Sequence, residues 1–194
     1  MNFAEQLVYW YLRLNGFFPL TNFVLHHGEG HRTSDADLLA VRFPYVSEVI
    51  GGADKDWDAR FWKRWHIDLT SETVGLIVEV KSGFFDYSDL NHPDREWRVR
   101  DSLRRLGMVP PSQLEQAVEE LRRAPCTRLG GCRTAKLLVS SGNIPNGAPW
   151  LHVELRLVDK FVRRRMKTYS DRKYPDRLFF AGDLIQYLAW KSGG

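Results

Sequence analysis

The run Val74-Gly75-Leu76-Ile77-Val78 passes without interruption into Glu79-Val80-Lys81. A continuous apolar run of this length reads as a buried strand, and a buried strand demands a sheet covered on both faces. Residues two apart on a strand point to one face, so Glu79 and Lys81 project side by side while Val80 turns into packing. Gly83 marks the strand's end. Charged groups seldom finish a core strand unless they are paired or hold a metal. The plain alternative is a structural ion pair between neighbouring side chains.

A second carboxylate close by would complete a site for a hard divalent cation. Asp37 opens Asp37-Leu38-Leu39-Ala40-Val41, a short apolar run that reads as another strand. Ser34 and Asp35 precede it, which puts the acid where a loop enters the sheet. Mg²⁺ takes oxygen ligands, often only one or two carboxylates, and keeps waters and substrate phosphate. Asp37, Glu79 and the Val80 carbonyl supply such a set. A cation there would polarise a scissile phosphate and lower the pKa of a bound water. Lys81 would orient that water or stabilise the developing charge. Asp68, in His66-Ile67-Asp68-Leu69-Thr70, is the other candidate carboxylate, but the apolar run after Asp37 is the stronger strand.

An acid-bearing helix, an Asp at a strand start and a Glu-x-Lys in the next strand together resemble the PD-(D/E)xK nuclease superfamily, which includes restriction endonucleases and archaeal Holliday-junction resolvases. The matching residues are Glu5, Asp37, Glu79 and Lys81, and the resemblance covers roughly residues 1–142. The chain departs from the pattern in having no Pro before Asp37 and 41 residues between Asp37 and Glu79. The resemblance implies an α/β restriction-endonuclease-like αβββαβ core, a mixed central sheet flanked by helices, with a C-terminal helical extension. It implies Mg²⁺-dependent hydrolysis of nucleic-acid phosphodiesters, with Mn²⁺ as substitute and DNA rather than RNA as substrate. Glu5 would join the catalytic set, and Gln113 or Gln116 would stand near the site, although a solvent-facing Gln is the plainer reading. A preference for double strands would imply a homodimer or two sites. The competing reading is a nucleic-acid-binding or assembly module on the same fold that does not cut.

Composition agrees with this class. With 194 residues, 43% of them hydrophobic, the chain can bury the core of one domain. No apolar stretch is long enough to span a membrane, and the amino terminus lacks a basic-then-apolar leader, so a cytoplasmic location is expected. Cys126 and Cys132 are too few for a disulfide scaffold and read as reduced thiols in a loop. Residues 1–90 carry 8 Lys and Arg against 13 Asp and Glu, whereas residues 91–194 carry 20 against 11. The basic half concentrates its charge at Arg98, Arg100, Arg104 and Arg105 and again at Arg163, Arg164, Arg165 and Lys167. A solvated helix face explains either stretch alone; together they suggest contact with a phosphate backbone.

The remaining elements follow from periodicity and breakers. Residues 2–14 read as an amphipathic helix, with Asn2 and Glu5 also suited to a capping box. Phe23 to His27 and Asp37 to Phe43 read as a strand pair around Gly28-Glu29-Gly30, and the His26-to-His31 cluster as a loop of exposed histidines rather than a zinc site. Residues 44–70 read as an irregular insertion. Within it Trp57, Phe61, Trp62 and Trp65 fit an amphipathic helix on the sheet edge slightly better than a base-stacking platform. Thr73 to Lys81 returns to the sheet, and Asp86, Asp89 and His92 in the polar stretch after it are candidates to line a cleft. Pro93 opens a basic helix, Gln113 to Arg123 forms another, and Thr134 to Ser140 is the next buried strand. Val153 to Leu157 reads as a strand, with helices near 159–169 and 182–191, all in an appended subdomain spanning 143–194.

Overall fold

The first helix, α1 (Phe3–Leu14), starts on a reciprocal capping box: Glu5 N donates to Asn2 Oδ1 and Asn2 N donates to Glu5 Oε2, each at 3.0 Å. Its buried face carries Leu7, Val8, Tyr11 and Leu12. The computed structural model to which this helix belongs describes residues 2–27, 31–48, 51–92 and 96–168. After α1 come β1 (Phe18–His27), β2 (His31–Arg42), α2 (Ala59–Arg64), β3 (Val74–Lys81), α3 (Glu96–Leu106), α4 (Leu114–Arg123), β4 (Cys126–Leu129), β5 (Cys132–Ser140), β6 (Leu151–Glu154) and α5 (Leu155–Thr168).

The protein is α/β, with a mixed six-stranded sheet flanked by helices. Its order is β1-β2-β3-β5-β4, with β6 also on β5. β3 is antiparallel to β2 and parallel to β5. β5 pairs antiparallel with β4 through Cys132–Ala135 and parallel with β6 through Leu137–Ser140, so the two short strands share one edge end to end. Period-two alternation sorts the side chains. Val74, Leu76, Val78 and Val80 join Ala135, Leu137 and Val139 on the face covered by α1, α2 and α5. Leu39 and Ile77 lie on the other face, under Leu103 of α3 and Leu114, Ala117, Val118 and Leu121 of α4. Gly75 belongs to that second face, and a Cβ there would come within 2.5 Å of Met108 Sδ, so the chain after α3 can pass close over the sheet. Among the described residues no helix is long and apolar enough to cross a membrane.

The insertion at 44–70 is largely irregular, but one short helix, α2, ties it to the core. Buried Asn15 accepts through Oδ1 from Asp58 N at 2.7 Å and from Trp62 Nε1 at 3.2 Å, and donates through Nδ2 to Tyr11 O at 2.8 Å. Buried Arg42 donates to the carbonyls of Asn15 and Leu69 and lies 4.2 Å over the Trp57 ring. Trp57, Phe61 and Trp62 are therefore core residues, which fits the sheet-covering reading and removes them as a stacking platform.

Several boundaries move. β2 begins at His31, so Asp37 lies in the middle of a long strand and not at its start. Residues 28–30 of the expected turn lie outside the described residues. Cys126 and Cys132 belong to a hairpin, β4–β5, rather than a loop; Gly130 and Gly131, both at positive φ, make the two-residue turn that joins antiparallel strands. The strand expected at Val153–Leu157 is β6 at Leu151–Glu154, and Leu155 already starts α5. β6 and α5 complete the sheet and the core instead of standing apart as an extension. The helix expected at 182–191 lies outside the described residues.

Arg165 corrects the reading of the second basic stretch. It is 2% exposed and donates to the carbonyls of Asp56 and Gly51, with Asp56 Oδ1 at 3.4 Å. It is a strut between α5 and the insertion, closed to any phosphate. Arg165→Ala is expected to lower unfolding free energy by about 3 kcal/mol, because it strands a buried carboxylate and two carbonyls. Arg163→Ala, on the exposed side of α5, is expected to change it by less than about 0.5 kcal/mol. Urea unfolding of the two variants measures the contrast.

Candidate functional site

The β2–β3 ladder runs from Arg42 opposite Val74 to Leu38 opposite Val78 and stops. One further step in that register puts Asp37 opposite Glu79, on one face of the sheet. There the side chain replaces the backbone as acceptor: Asp37 Oδ2 takes a hydrogen bond from Val80 N at 2.6 Å. A residue's N–H and C=O leave a strand on the same side, so the Val80 carbonyl also looks toward Asp37. Lys81 Nζ sits 3.1 Å from Glu79 Oε2, and Arg98 of α3 approaches Glu79 Oε1 at 3.9 Å.

Two carboxylates at this separation, largely withdrawn from water, resist sharing negative charge. Burial and then the charge of Glu79 push the Asp37 carboxyl up from 3.8 to about 6, against the pull of the Val80 N–H and Lys81. Glu5 adds a smaller push. Of the two readings of Glu5 the structure bears on capping: both of its carboxylate oxygens accept from Asn2, at 3.0 and 2.6 Å, and its charge is felt only weakly at Asp37.

The structure thus gathers Asp37, Glu79, Val80 and Lys81, with Arg98 from the first basic stretch, while the Glu5 carboxylate stays in the capping box of α1. It does not gather the other candidates. Asp68 lies in a turn, accepting from Thr70 N at 2.9 Å and Ser71 Oγ at 2.8 Å. The Thr70 hydroxyl and N–H, helped by Ser71, hold its carboxyl down to about 2. It precedes β3, and five residue steps along the strand, about 17 Å, take Val74 to Glu79. Gln113 and Gln116 lie toward the far end of α4: Arg100 grips Glu115 at 2.7 Å and Arg122 meets Glu96 at 3.8 Å, so it is the C-terminal end of α4 that lies beside the head of α3. Gln116 is exposed and bonds Glu120. Asp86 and Asp89 are exposed, and Asp86 caps a short turn through Ser88 N. His92 lines a small cavity beside Lys136.

The basic residues also divide. Arg100 is taken up by Glu115 and Arg104 by Asp101, while Arg105 is exposed on α3. Arg163 pairs with Asp159, Arg164 lies over Phe161, and Lys167 is exposed near the end of α5. α3 and α5 cover opposite faces of the sheet, so the two stretches do not merge into one surface. Two residues on the site's own face were missed. Ser140, the parallel partner of Lys81, has its Oγ 2.9 Å from His152 Nε2. Burial holds the His152 imidazole below its ordinary value. The alternation of Leu151 and Val153 inward with His152 and Glu154 outward was the available signal.

Among the described residues no three or more His, Cys, Asp or Glu side chains stand together as a metal site. The donor set is instead two facing carboxylates and a backbone carbonyl. Its fit to a divalent cation rests on Asp37 and Glu79 at facing strand positions beside the Val80 carbonyl, where burial and then the Glu79 charge hold the Asp37 carboxyl above its ordinary value. No family model, curated protein or solved structure matches the chain.

The Asp37 displacement has a measurable sign. Between about 4 and 6 the folded chain holds a proton that the unfolded chain has released, so stability falls as pH rises through that window and is level above it. Asp37→Asn keeps an acceptor for Val80 N–H without the charge. In chelator it is expected to flatten the slope and to gain about 2 kcal/mol at pH 7.5. Urea unfolding of both proteins from pH 4 to 8 checks this, and a level wild-type profile would refute it.

Proposed function

We propose that this chain is a metal-dependent nuclease that hydrolyses nucleic-acid phosphodiester bonds, with DNA as substrate. The observation that carries the reading is Asp37 facing Glu79 across the end of the β2–β3 ladder, with Lys81 on the same face. The succession of one helix, three strands, helices and a further strand parallel to β3 supports a restriction-endonuclease-like arrangement, with β4 as an addition before β5.

Asp37, Glu79 and the Val80 carbonyl would hold the Mg²⁺, with Mn²⁺ able to replace it. When bound, the ion would supply Lewis-acid polarisation of the phosphate and a water of lowered pKa. Asp37 and Glu79 provide fixed acceptors on paired strands, which gives a precision that loops do not. The Lys81 ammonium, 3.1 Å from Glu79, orients the attacking water and stabilises negative charge as its oxygen bonds to phosphorus and the phosphorus–oxygen bond to the leaving strand breaks. Arg98, at the head of α3, holds the phosphate against the carboxylates.

The test incubates the full chain with plasmid, single-stranded DNA and RNA, in Mg²⁺, in Mn²⁺ and in chelator. Cutting is expected in either metal and none in chelator. Glu79→Gln and Lys81→Ala are each expected to slow cutting by about a hundredfold or more. Both are expected to unfold within about 1 kcal/mol of wild type, since neither side chain packs in the core. Binding without metal-dependent cutting would overturn the nuclease reading and favour a non-cleaving binding module. Unfolding of both variants would instead make Glu79–Lys81 a structural pair.

A further inference from the structure

Lys136 sits in the middle of β5, in a run buried from Thr134 to Ser140, and is 3% exposed. Its ammonium lies 4.8 Å over the Trp150 ring, and among the described residues no carboxylate forms an ion pair with it. Burial alone lowers its pKa to about 8. A cation withdrawn from water with only an aromatic face for company is short of a counter-charge.

The space beside it fits one. Lys136 lines a cavity of about 60 Å³ whose apolar walls are Leu90, Val99, Val118 and Leu121. The other charged or titratable lining groups are His92, Glu96 and Arg122. Arg122 pairs closely with Glu119 at 2.7 Å, outside the cavity lining, and approaches Glu96 at 3.8 Å, so among the described residues Lys136 is the lining cation that has no carboxylate partner. That volume suits a single tetrahedral oxyanion and is too small for a nucleoside. The cavity lies on the face of the acid cluster: Lys136 is the parallel partner of Ile77, two residues before Glu79.

We infer that this cavity is a phosphate-sized oxyanion subsite, with Lys136 as its buried anchor and His92 as a hydrogen-bonding group at its rim. Inorganic phosphate and a phosphate monoester at the end of a nucleic-acid strand share this chemistry. The subsite does not require cleavage.

The experiment titrates the full chain with inorganic phosphate, with a 5′-phosphorylated trinucleotide and with the same trinucleotide bearing a 5′-hydroxyl, at constant ionic strength set by chloride. Calorimetry reads binding, and acetylation of Lys136 at pH 8, followed by mass spectrometry, reads protection. Saturable binding of phosphate or of the phosphorylated trinucleotide is expected, with slower acetylation of Lys136. Lys136→Met is expected to weaken binding by about tenfold or more while remaining folded, because it removes a desolvated charge. Glu79→Gln is expected to abolish cutting and to leave the protection of Lys136 by phosphate in place, which separates this subsite from the cleavage reading. Preference for the phosphorylated trinucleotide identifies a strand end as ligand, and binding of inorganic phosphate alone identifies the free anion. Absence of saturable binding by either, or equal binding by Lys136→Met, would overturn the subsite.

Discussion

β3 is held on both flanks, antiparallel to β2 and parallel to β5, and the site exists because these two ladders stop at different residues. The parallel ladder continues to Lys81 opposite Ser140 and keeps the backbone under the charged residues fixed. The antiparallel ladder ends at Leu38 opposite Val78, which leaves the Val80 N–H to find another acceptor. Backbone donors at this depth are satisfied almost without exception, and here the Asp37 carboxylate does it. That hydrogen bond fixes one acid beside another. The N-terminal part of α3 then brings Arg98 to the Glu79 carboxylate.

The distribution of positive charge follows from the layers rather than from the sequence halves. α3 lies on the face that bears Glu79 and Lys81, so its basic residues reach the site when they are near its N-terminal end, as Arg98 is. α5 lies on the opposite face and begins where β6 ends, so its cations are carried away from the strand ends as the helix proceeds. About 12 Å of helix separates Leu155 from Arg163. Within α5 the 3.6-residue period turns Arg165 inward with Val158, Phe161 and Val162, while Arg163 and Arg164 turn outward. A run of three arginines is thus one buried strut and two surface charges.

What could be read from sequence divides along the same physical line. Strong periodicity was legible: α1 was expected at 2–14 and spans Phe3–Leu14, and the strand expected from Thr73 spans Val74–Lys81. Polar strands were not, because a polar sequence carries no apolar alternation to read. The expected strand at Phe23–His27 lies within β1, and the one at Asp37–Phe43 overlaps β2 but runs one residue past its end at Arg42; the polar sequence that opens β2 hid its start and the central position of Asp37. β4 has only four residues, below the length at which alternation shows. Asp68 was the other candidate carboxylate, but the Thr and Ser that follow it make a turn, and side-chain acceptors of this kind prefer their own backbone. Lys136 was passed over because a single polar residue inside an apolar run changes no pattern, although it changes the chemistry of the cavity beneath α3 and α4.

The charge balance of the site is lopsided, and that asymmetry sets how it can work. Both nearby cations, Lys81 and Arg98, address Glu79, whereas Asp37 receives one backbone N–H. The uncompensated negative charge therefore collects on the β2 side, where burial makes it most costly. Two kinds of positive charge can enter between the carboxylates. A proton relieves the repulsion by silencing one of them, and it removes an acceptor in doing so. A divalent cation would relieve it while using both as ligands, so metal binding would displace the proton from Asp37. Under the nuclease reading the proton and the metal compete for one place, and Asp37 is the residue through which acidity and metal occupancy are linked.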